Sequence, residues 1–191
     1  MLIIDYSGIA ISAIFSQSRP EKITEDFMRH IILNSLRMYN TKYREKYGRL
    51  VLACDGGSWR KDYYPEYKAS RKKSREKSDV DWKEIFSIMN VVRDEISAHL
   101  PYPVVCIQKA EADDIIASYA KYGEENKINT IVYSSDKDLF QLLTGTTKII
   151  DPMKNIEIDE EKVLEKFGVK PDKITDVQAL IGDTADNIPG V

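Results

Sequence analysis

Several acidic residues of this 191-residue chain are spaced so that together they could hold metal ions. Three acids each follow a short apolar run, and others fall in Glu-Ala-Asp-Asp, Ser-Asp-Lys-Asp and Gly-Asp-Thr-Ala-Asp-Asn motifs. Crowded carboxylates cannot all stay ionised without cations, and Mg²⁺ with its preference for oxygen ligands is the natural partner. The candidate ligands are Asp5, Asp55, Glu111, Asp113, Asp114, Asp136, Asp138 and Asp186, with Asp183 in the same turn as the last.

Such a cluster predicts hydrolysis at phosphorus. Two ions about 3.5–4 Å apart can activate a water and stabilise the leaving oxygen of an in-line displacement. Taken singly, Glu111, Asp113 and Asp114 could instead be first-turn acids that the helix dipole favours. An Asp-x-Asp after a strand also suits a Toprim-type site, but that site has Glu where this chain has Asp5. A haloacid-dehalogenase-type phosphatase would need a second Asp where Ser7 stands.

A basic segment follows Asp55. Eight cations and three acids lie between Arg60 and Lys77, a local charge of +5 in a chain whose net charge is −3. Aromatic residues are interleaved with these cations, and this combination suits a single nucleic-acid strand, since cations neutralise phosphates and aromatics stack on bases. A solvated charged loop is the alternative, but the position beside Asp55 favours nucleic acid. The candidate contacts are Arg60, Lys61, Tyr67, Lys68, Arg71 and Lys72.

Strands and helices alternate along the chain, which predicts an α/β fold with a mostly parallel sheet and helices on both faces. Ligands bind at the carboxyl ends of such strands, where the first acids stand. We predict strands at Met1–Ile4, Leu50–Cys54, Val104–Ile107, Thr130–Tyr133 and Lys148–Ile150. We predict helices at about 24–47, 81–100, 111–126, 160–167 and 172–181, and a short one after Asp136. Residues 1–181 would form this domain, with 56–80 as a basic excursion.

Apolar periodicity also predicts which side chains are buried. In the first long helix we expect a stripe of Phe27, Ile31, Leu33, Leu36 and Met38. The two cysteines, Cys54 and Cys106, fall in predicted strands and are expected to be buried thiols. With only two histidines, a zinc site built on His and Cys is not expected.

The chain shows no targeting signal. No apolar run approaches the ~20 residues of a membrane span, and Met1–Ile4 runs into Asp5 without a signal-peptide pattern. We therefore expect a monomeric protein of the cytoplasm, the host cytoplasm if a phage encodes it, with no membrane partner.

Together these motifs resemble the 5′-nuclease family of flap endonucleases, 5′→3′ exonuclease domains of bacterial DNA polymerases and T4-like bacteriophage ribonucleases H, the last in particular. The resemblance covers essentially the whole chain, and its motifs are widely spaced. They are Ile-Ile-Asp5-Tyr-Ser, Met28-Arg-His-Ile-Ile-Leu-Asn34-Ser, Asp55, Trp59-Arg-Lys-Asp62, Tyr67-Lys68-x-x-Arg71, Asp81-Trp82, Glu111-Ala-Asp113-Asp114, Ser135-Asp136-x-Asp138 and Gly182-Asp183-x-x-Asp186-Asn187.

The resemblance implies hydrolysis of phosphodiesters near 5′ ends of branched, nicked or RNA-primed DNA, including RNA primer removal in phage replication. It implies two Mg²⁺ ions, which Mn²⁺ could replace, held by the candidate acids, with Asp114 as a further acid of the cluster. Lys68, Arg71 and Asp136 would be catalytic, the first two on a helical arch that contacts the scissile phosphate, and Tyr67 would stack beside them.

Within this resemblance, residues 182–191 begin a helix–hairpin–helix region that grips duplex DNA, and a separate chain could supply its remainder. Two other readings stay open. A PIN-like ribonuclease would cut single-stranded RNA with a similar acidic sheet. A non-catalytic nucleic-acid-binding or protein-binding fragment would need a second chain.

Overall fold

The structure, a computed structural model, describes residues 1–17 and 23–191. Six strands form one sheet: β1 (Leu2–Asp5), β2 (Leu50–Cys54), β3 (Val104–Cys106), β4 (Thr130–Tyr133), β5 (Thr147–Asp151) and β6 (Ile156–Ile158). Their order is β3-β2-β1-β4-β5-β6. The first five pair in parallel, and β6 pairs antiparallel with β5 at one edge. The order therefore reverses between β1 and β4, which makes a crevice at their carboxyl ends.

In the described residues, eight α-helices connect and cover these strands. They are α1 (Tyr6–Gln17), α2 (Glu25–Tyr47), α3 (Arg60–Tyr63), α4 (Ala69–Glu76), α5 (Trp82–His99), α6 (Ala112–Glu125), α7 (Glu160–Phe167) and α8 (Ile174–Ile181). Short 3-10 helices occupy Lys137–Leu142 and Pro171–Lys173. Side-chain caps fix several starts: Thr24 accepts from the Phe27 amide, and Asp81 accepts from the Glu84 amide at 2.9 Å.

Alternation along the strands divides the core into two layers. Leu2 and Ile4 of β1 face one side and pack with residues of α1, α2 and α5. Ile3 faces the other side and packs with residues of α6, α7 and the start of α8. Because successive strand residues point to opposite faces, this pattern requires helices on both sides. The predicted α/β fold is confirmed.

Most predicted elements are present within one to three residues of their expected bounds. Two were not predicted. The helix α1 follows β1 without a loop, so no turn signal separates it from the strand. Its buried residues include Ile9, Ala10 and Ile14. The strand β6 has only three residues, too few for alternation to be recognised. The excursion contains the short helices α3 and α4.

Two burial predictions are wrong. Cys54 is buried, but Cys106 is exposed because β3 is an edge strand of the sheet. On α2, Met38 is 56% exposed, and the buried positions are Met28, Ile31, Ile32, Leu36 and Tyr39 together with Tyr47. The helix therefore presents a face rotated from the stripe that was expected. In the described parts of the chain, no helix is both long and apolar enough to cross a membrane.

The rotated face of α2 gives a direct test of the fold. Ile32 is fully buried, so we expect Ile32→Ala to lower the free energy of unfolding by about 2–5 kcal/mol. The matched control on the same helix is Met38→Ala, which should change it by less than about 0.5 kcal/mol because that side chain is exposed. Urea unfolding of both variants measures the difference, and equal losses would contradict this orientation of α2.

Candidate functional site

The carboxyl ends of β1, β2 and β4 bring the first acids together. Asp5 is the last residue of β1, Asp55 follows β2, and Asp136 follows β4 after two serines. Glu111 is the N-cap of α6, and Asp113 lies in its first turn. These five acids line one basin of about 640 Å³. The convergence that the sequence predicted is present at the point where the strand order reverses.

Hydrogen bonds fix two of these carboxylates before any ligand arrives. Asp5 accepts from the Gly8 amide and from the Ser134 hydroxyl, both at 2.9 Å. Asp55 accepts from Ser7 at 2.8 Å and from the Ala112 amide at 3.0 Å. A Cβ atom at position 8 would lie 2.5 Å from an Asp5 carboxylate oxygen, so this contact requires glycine. The start of α1 is therefore built around the Asp5 carboxylate.

Burial and crowding raise the pKa of three acids at this rim of the sheet, Asp5, Asp113 and Asp138. Burial, together with the charges of Asp55 and Asp136, raises the pKa of Asp5 to about 6, although its two hydrogen bonds act to lower it. Burial, with the charges of Asp136 and Asp5, raises the pKa of Asp113 to about 7. The pKa of Asp138 is also raised, by burial and by Asp136. Asp136 thus repels all three of these acids.

A second group of acids lies close to the first. The carboxylate oxygens of Asp138, Asp183 and Asp186 all lie within 4.8 Å of one another. Among the described residues no other three acids are so close, so the first group is more open. The three line a second basin of about 630 Å³, and Asp113 lines both. Asp183 was not among the predicted ligands, although its Gly-Asp-x-x-Asp spacing with Asp186 could have shown it.

The donor set of both groups fits divalent magnesium or manganese. All contributing atoms are carboxylate oxygens, the ligands that hard cations prefer, and neither histidine lies in either basin. Acids with raised pKa values gain from a cation that restores their charged form. The described residues therefore could hold ions at Asp5, Asp55, Asp113 and Asp136, and at Asp138, Asp183 and Asp186.

Glu111 is the most heavily contacted acid. Lys68 donates to Oε1 at 2.5 Å, and Oε2 accepts from Ser58, Arg60 and Tyr67 at 2.9–3.0 Å. Burial acts to raise the pKa of Glu111, but these hydrogen bonds outweigh it and lower the pKa. Glu111 therefore stays ionised with protein cations as its partners.

Asp114 is engaged within the protein. It accepts from the two terminal guanidinium nitrogens of Arg60 at 2.9 and 3.1 Å and from the Glu111 amide at 3.0 Å. Burial would raise the pKa of Asp114, but the Arg60 contacts and the amide hydrogen bond lower it. In this arrangement Asp114 fixes the start of α6 and the base of the excursion. Arg60, predicted to contact nucleic acid, is occupied by these acids.

The excursion folds down onto the acids. Its Lys68 has a left-handed backbone, with φ 58°, and its amide donates to the Asp186 carbonyl at 2.9 Å. The Lys68 ammonium also lies 3.6 Å from the Asp186 carboxylate, which Arg71 contacts as well. Lys61 and Lys72 line the first basin from the same segment. Four of the six predicted nucleic-acid contacts therefore surround it.

Tyr67 lies elsewhere than predicted. Its side chain is only 7% exposed, and its hydroxyl donates to Glu111 at 3.0 Å. In this conformation the ring cannot stack on a base, because the hydrogen bond and the surrounding chain hold it inward. The exposed aromatics of the segment are Trp59, Tyr63 and Tyr64.

Comparisons with known proteins agree with this architecture. The family described as "5'-3' exonuclease, N-terminal resolvase-like domain" matches residues 1–168. The chain is 40% identical over 146 residues to "Ribonuclease H" of Enterobacteria phage T4, covering 73% of this chain and 48% of that protein. It is 31% identical over 194 residues to a "5'-3' exonuclease" of Aquifex aeolicus, covering 100% of this chain and 64% of that protein.

The chain also matches "DNA polymerase I" of Rhizobium leguminosarum, with 38% identity over 134 residues, 70% of this chain and 12% of the polymerase. It therefore spans less than two thirds of each of these three relatives.

Solved structures share the fold. A bacteriophage T5 flap endonuclease in complex with DNA and metal ions has a TM-score of 0.80 at 18% identity, covering 100% of this chain and 69% of that one. A T5 5′-exonuclease with bound zinc has a TM-score of 0.79 at 19% identity, with the same coverage of each chain. At such identities the likeness concerns the fold alone.

The raised pKa of Asp113 predicts how stability depends on pH. An acid with a pKa of about 7 when folded and 3.8 when unfolded holds its proton better in the folded chain. Stability from this group is therefore present at low pH and lost as pH rises through about 7. We expect Asp113→Asn, which is neutral at every pH, to raise the melting temperature of the metal-free protein more at pH 8 than at pH 5.

The control for this measurement is Glu124→Gln, an exposed acid on the same helix. Its effect should be small at both pH values. Equal effects of Asp113→Asn at pH 5 and pH 8, measured by calorimetry in EDTA, would show that burial and neighbouring charges do not raise the pKa of this carboxylate.

Proposed function

We propose a function from the premise that this chain belongs to the 5'-3' exonuclease family, whose N-terminal, resolvase-like domain matches residues 1–168. The function is Mg²⁺-dependent hydrolysis of phosphodiesters near the 5′ ends of branched, nicked or RNA-primed DNA. Its physiological role would be the removal of RNA primers in the DNA replication of a bacteriophage. The T4 ribonuclease H relative supports that role, and the DNA-bound T5 structure supports a nucleic-acid substrate.

One observation carries this proposal: two groups of acids, three of which have raised pKa values, lie beside a basic segment whose cations contact acids of the site. The first group, with Glu111, would hold one divalent ion, and the second group would hold another. When bound, such ions supply an activated water and positive charge for the leaving oxygen. Asp136 would serve both groups, because its charge raises the pKa of Asp5 and Asp113 on one side and Asp138 on the other.

Lys68 and Arg71 would stabilise the negative charge that develops on the phosphate. At present they are counter-ions of Glu111 and Asp186. With divalent ions held by these acids, both cations would be free to donate to phosphate oxygens. Preorganised cations aimed at developing charge are among the largest contributions that a protein makes to such reactions.

The remaining residues would position the machinery. Arg60 and Asp114 would hold the base of the excursion, and Tyr67 would orient Glu111 rather than stack on a base. Lys61 and Lys72, which lie at the basin, would neutralise backbone phosphates of the bound strand.

Residues 182–191 would begin the duplex-binding region. The turn is tight: Asp183 and Ile188 exchange backbone hydrogen bonds of 2.9 and 2.8 Å. Gly182 has φ +71°, and a Cβ there would meet the Gly190 amide at 2.4 Å, so glycine is required. A duplex bound at this turn would lie beside the second group of acids, because Asp183 and Asp186 belong both to the turn and to that group.

Replacing Asp136 tests the proposal most economically. We expect Asp136→Asn to reduce Mg²⁺-dependent cleavage of a 5′-flap substrate by at least about 100-fold, because a shared charged ligand contributes several kcal/mol. The control Asp172→Asn removes an exposed acid outside both groups and should leave the rate unchanged. Full activity in EDTA, or an unchanged rate in Asp136→Asn, would contradict the mechanism.

Two further readouts separate metal binding and substrate choice from chemistry. At a Mg²⁺ concentration 100 times the dissociation constant of the unmodified protein, Mg²⁺ should stabilise that protein by about 2.7 kcal/mol. At the same concentration the gain should be smaller in Asp136→Asn. The proposed substrate requires a free 5′ end. Equal cleavage of unstructured RNA with a blocked 5′ end would instead favour a PIN-like ribonuclease.

A further inference from the structure

The first basin extends well beyond its acids. Its lining also includes Phe86, Asn90 and Arg93 of α5 and, from α4, Arg75. A volume of about 640 Å³ falls within the range of about 300–1,000 Å³ that ligand pockets occupy. Because the acids form only part of this lining, the part of the basin beside α5 has space for a further part of the bound strand.

Arg75 is held in place by aromatic rings. Its guanidinium carbon lies 4.7 Å from the Phe86 ring centre and 5.4 Å from that of Trp82. The Trp82 indole is itself fixed, since its nitrogen donates to Ser78 at 2.8 Å. A planar guanidinium that rests on aromatic faces keeps its edge free for hydrogen bonds, an arrangement suited to phosphate.

Arg75 differs from the other arginines of the site in having no carboxylate partner. Arg60, Lys68 and Arg71 each pair with acids of the site, and Arg93 pairs with Asp94. Within residues 1–17 and 23–191, no ion pair includes Arg75. Partial burial and the charge of Arg71 one helical turn away lower the pKa of Arg75. A half-buried cation beside a second cation would gain from an anion in the basin.

We propose that Arg75 binds a backbone phosphate of the single strand next to the scissile one, and that Phe86 and Arg93 complete a subsite for that neighbouring nucleotide. This inference rests on the proposed function, because it takes Lys68 and Arg71 as the cations of the scissile phosphate. Proteins that hold single strands without reading sequence combine backbone cations with aromatic faces, as this part of the basin does. Arg75, four residues after Arg71 on α4, meets the strand as it leaves the acids.

The experiment measures binding of a fluorescent oligothymidylate to the full chain in EDTA, over a range of salt concentrations. Each phosphate contact on a single strand contributes about 0.7 to the slope of log K against log salt concentration. We expect Arg75→Gln to weaken binding and to reduce the magnitude of that slope by about 0.7. Arg75→Lys should restore the slope, because it keeps the charge. Lys73→Gln, on an exposed position of the same helix outside the basin, should leave it unchanged.

Trp82 provides an independent signal. The chain has two tryptophans, so Trp59→Phe leaves Trp82 as the sole one. Its emission should change on oligonucleotide binding, and this change should be lost when Arg75→Gln is added. Melting temperatures of each variant establish that the fold is kept.

The outcomes separate this inference from the function on which it rests. Salt-dependent binding by the unmodified chain with an unchanged slope in Arg75→Gln would overturn the inference alone. Absence of any binding by the unmodified chain in EDTA would also overturn the inference, whereas the proposed function is overturned by absence of Mg²⁺-dependent cleavage of the 5′-flap substrate. A slope reduced in Lys73→Gln as much as in Arg75→Gln would also overturn the inference, because the effect would then be one of general charge.

Discussion

The repulsion among half-buried carboxylates at one crevice is the constraint on which the rest of this structure depends. Asp5, Asp113 and Asp138 have raised pKa values because they are buried and because Asp136 faces all three. Such an arrangement costs folding free energy, and proteins keep it where a cation is to be bound. The cations of the basic segment supply part of the compensation in the metal-free chain, through Glu111 and Asp186.

The fold supplies what this crowding requires. A parallel sheet places the ends of β1, β2 and β4 at one rim, and the reversal of strand order opens the crevice between β1 and β4. Donors from three separate elements then hold the carboxylates in place: Gly8 of α1, Ala112 of α6 and Ser134 after β4. The basic segment lies over that rim, so the proposed substrate contacts and the acids share one basin. The acids and cations at this rim therefore determine both the electrostatics of the basin and its proposed function.

The sequence was sufficient to predict the parallel part of the sheet, most elements and the convergence of the first group of acids, because each acid of that group ends a strand or lies at the start of a helix. It was not sufficient to predict burial and side-chain contacts that depend on tertiary packing. The burial of Tyr67 depends on a hydrogen bond to Glu111, 44 residues away, and no local pattern contains it. The pairing of Arg60 with Asp114 likewise depends on how the segment folds back. Cys106 is exposed because β3 lies at an edge, and strand order cannot be read from alternation alone.

Asp183 is a different case, since the information was local. It stands three residues before Asp186, and the tight turn at Gly182 brings both to Asp138. The two acids differ in their contacts: Asp186 is paired with cations of the basic segment, whereas Asp183 lies 3.8 Å from Lys137. Spacing alone indicated a turn with two acids, but the structure was needed to show their common neighbour.

Crystals soaked with Mn²⁺ test most directly whether these acids form a centre for divalent cations. We predict anomalous scattering peaks at two places, one beside Asp5, Asp113 and Asp136 and one beside Asp138, Asp183 and Asp186. Crystals without any peak at this rim, at Mn²⁺ concentrations that support cleavage in solution, would contradict the account.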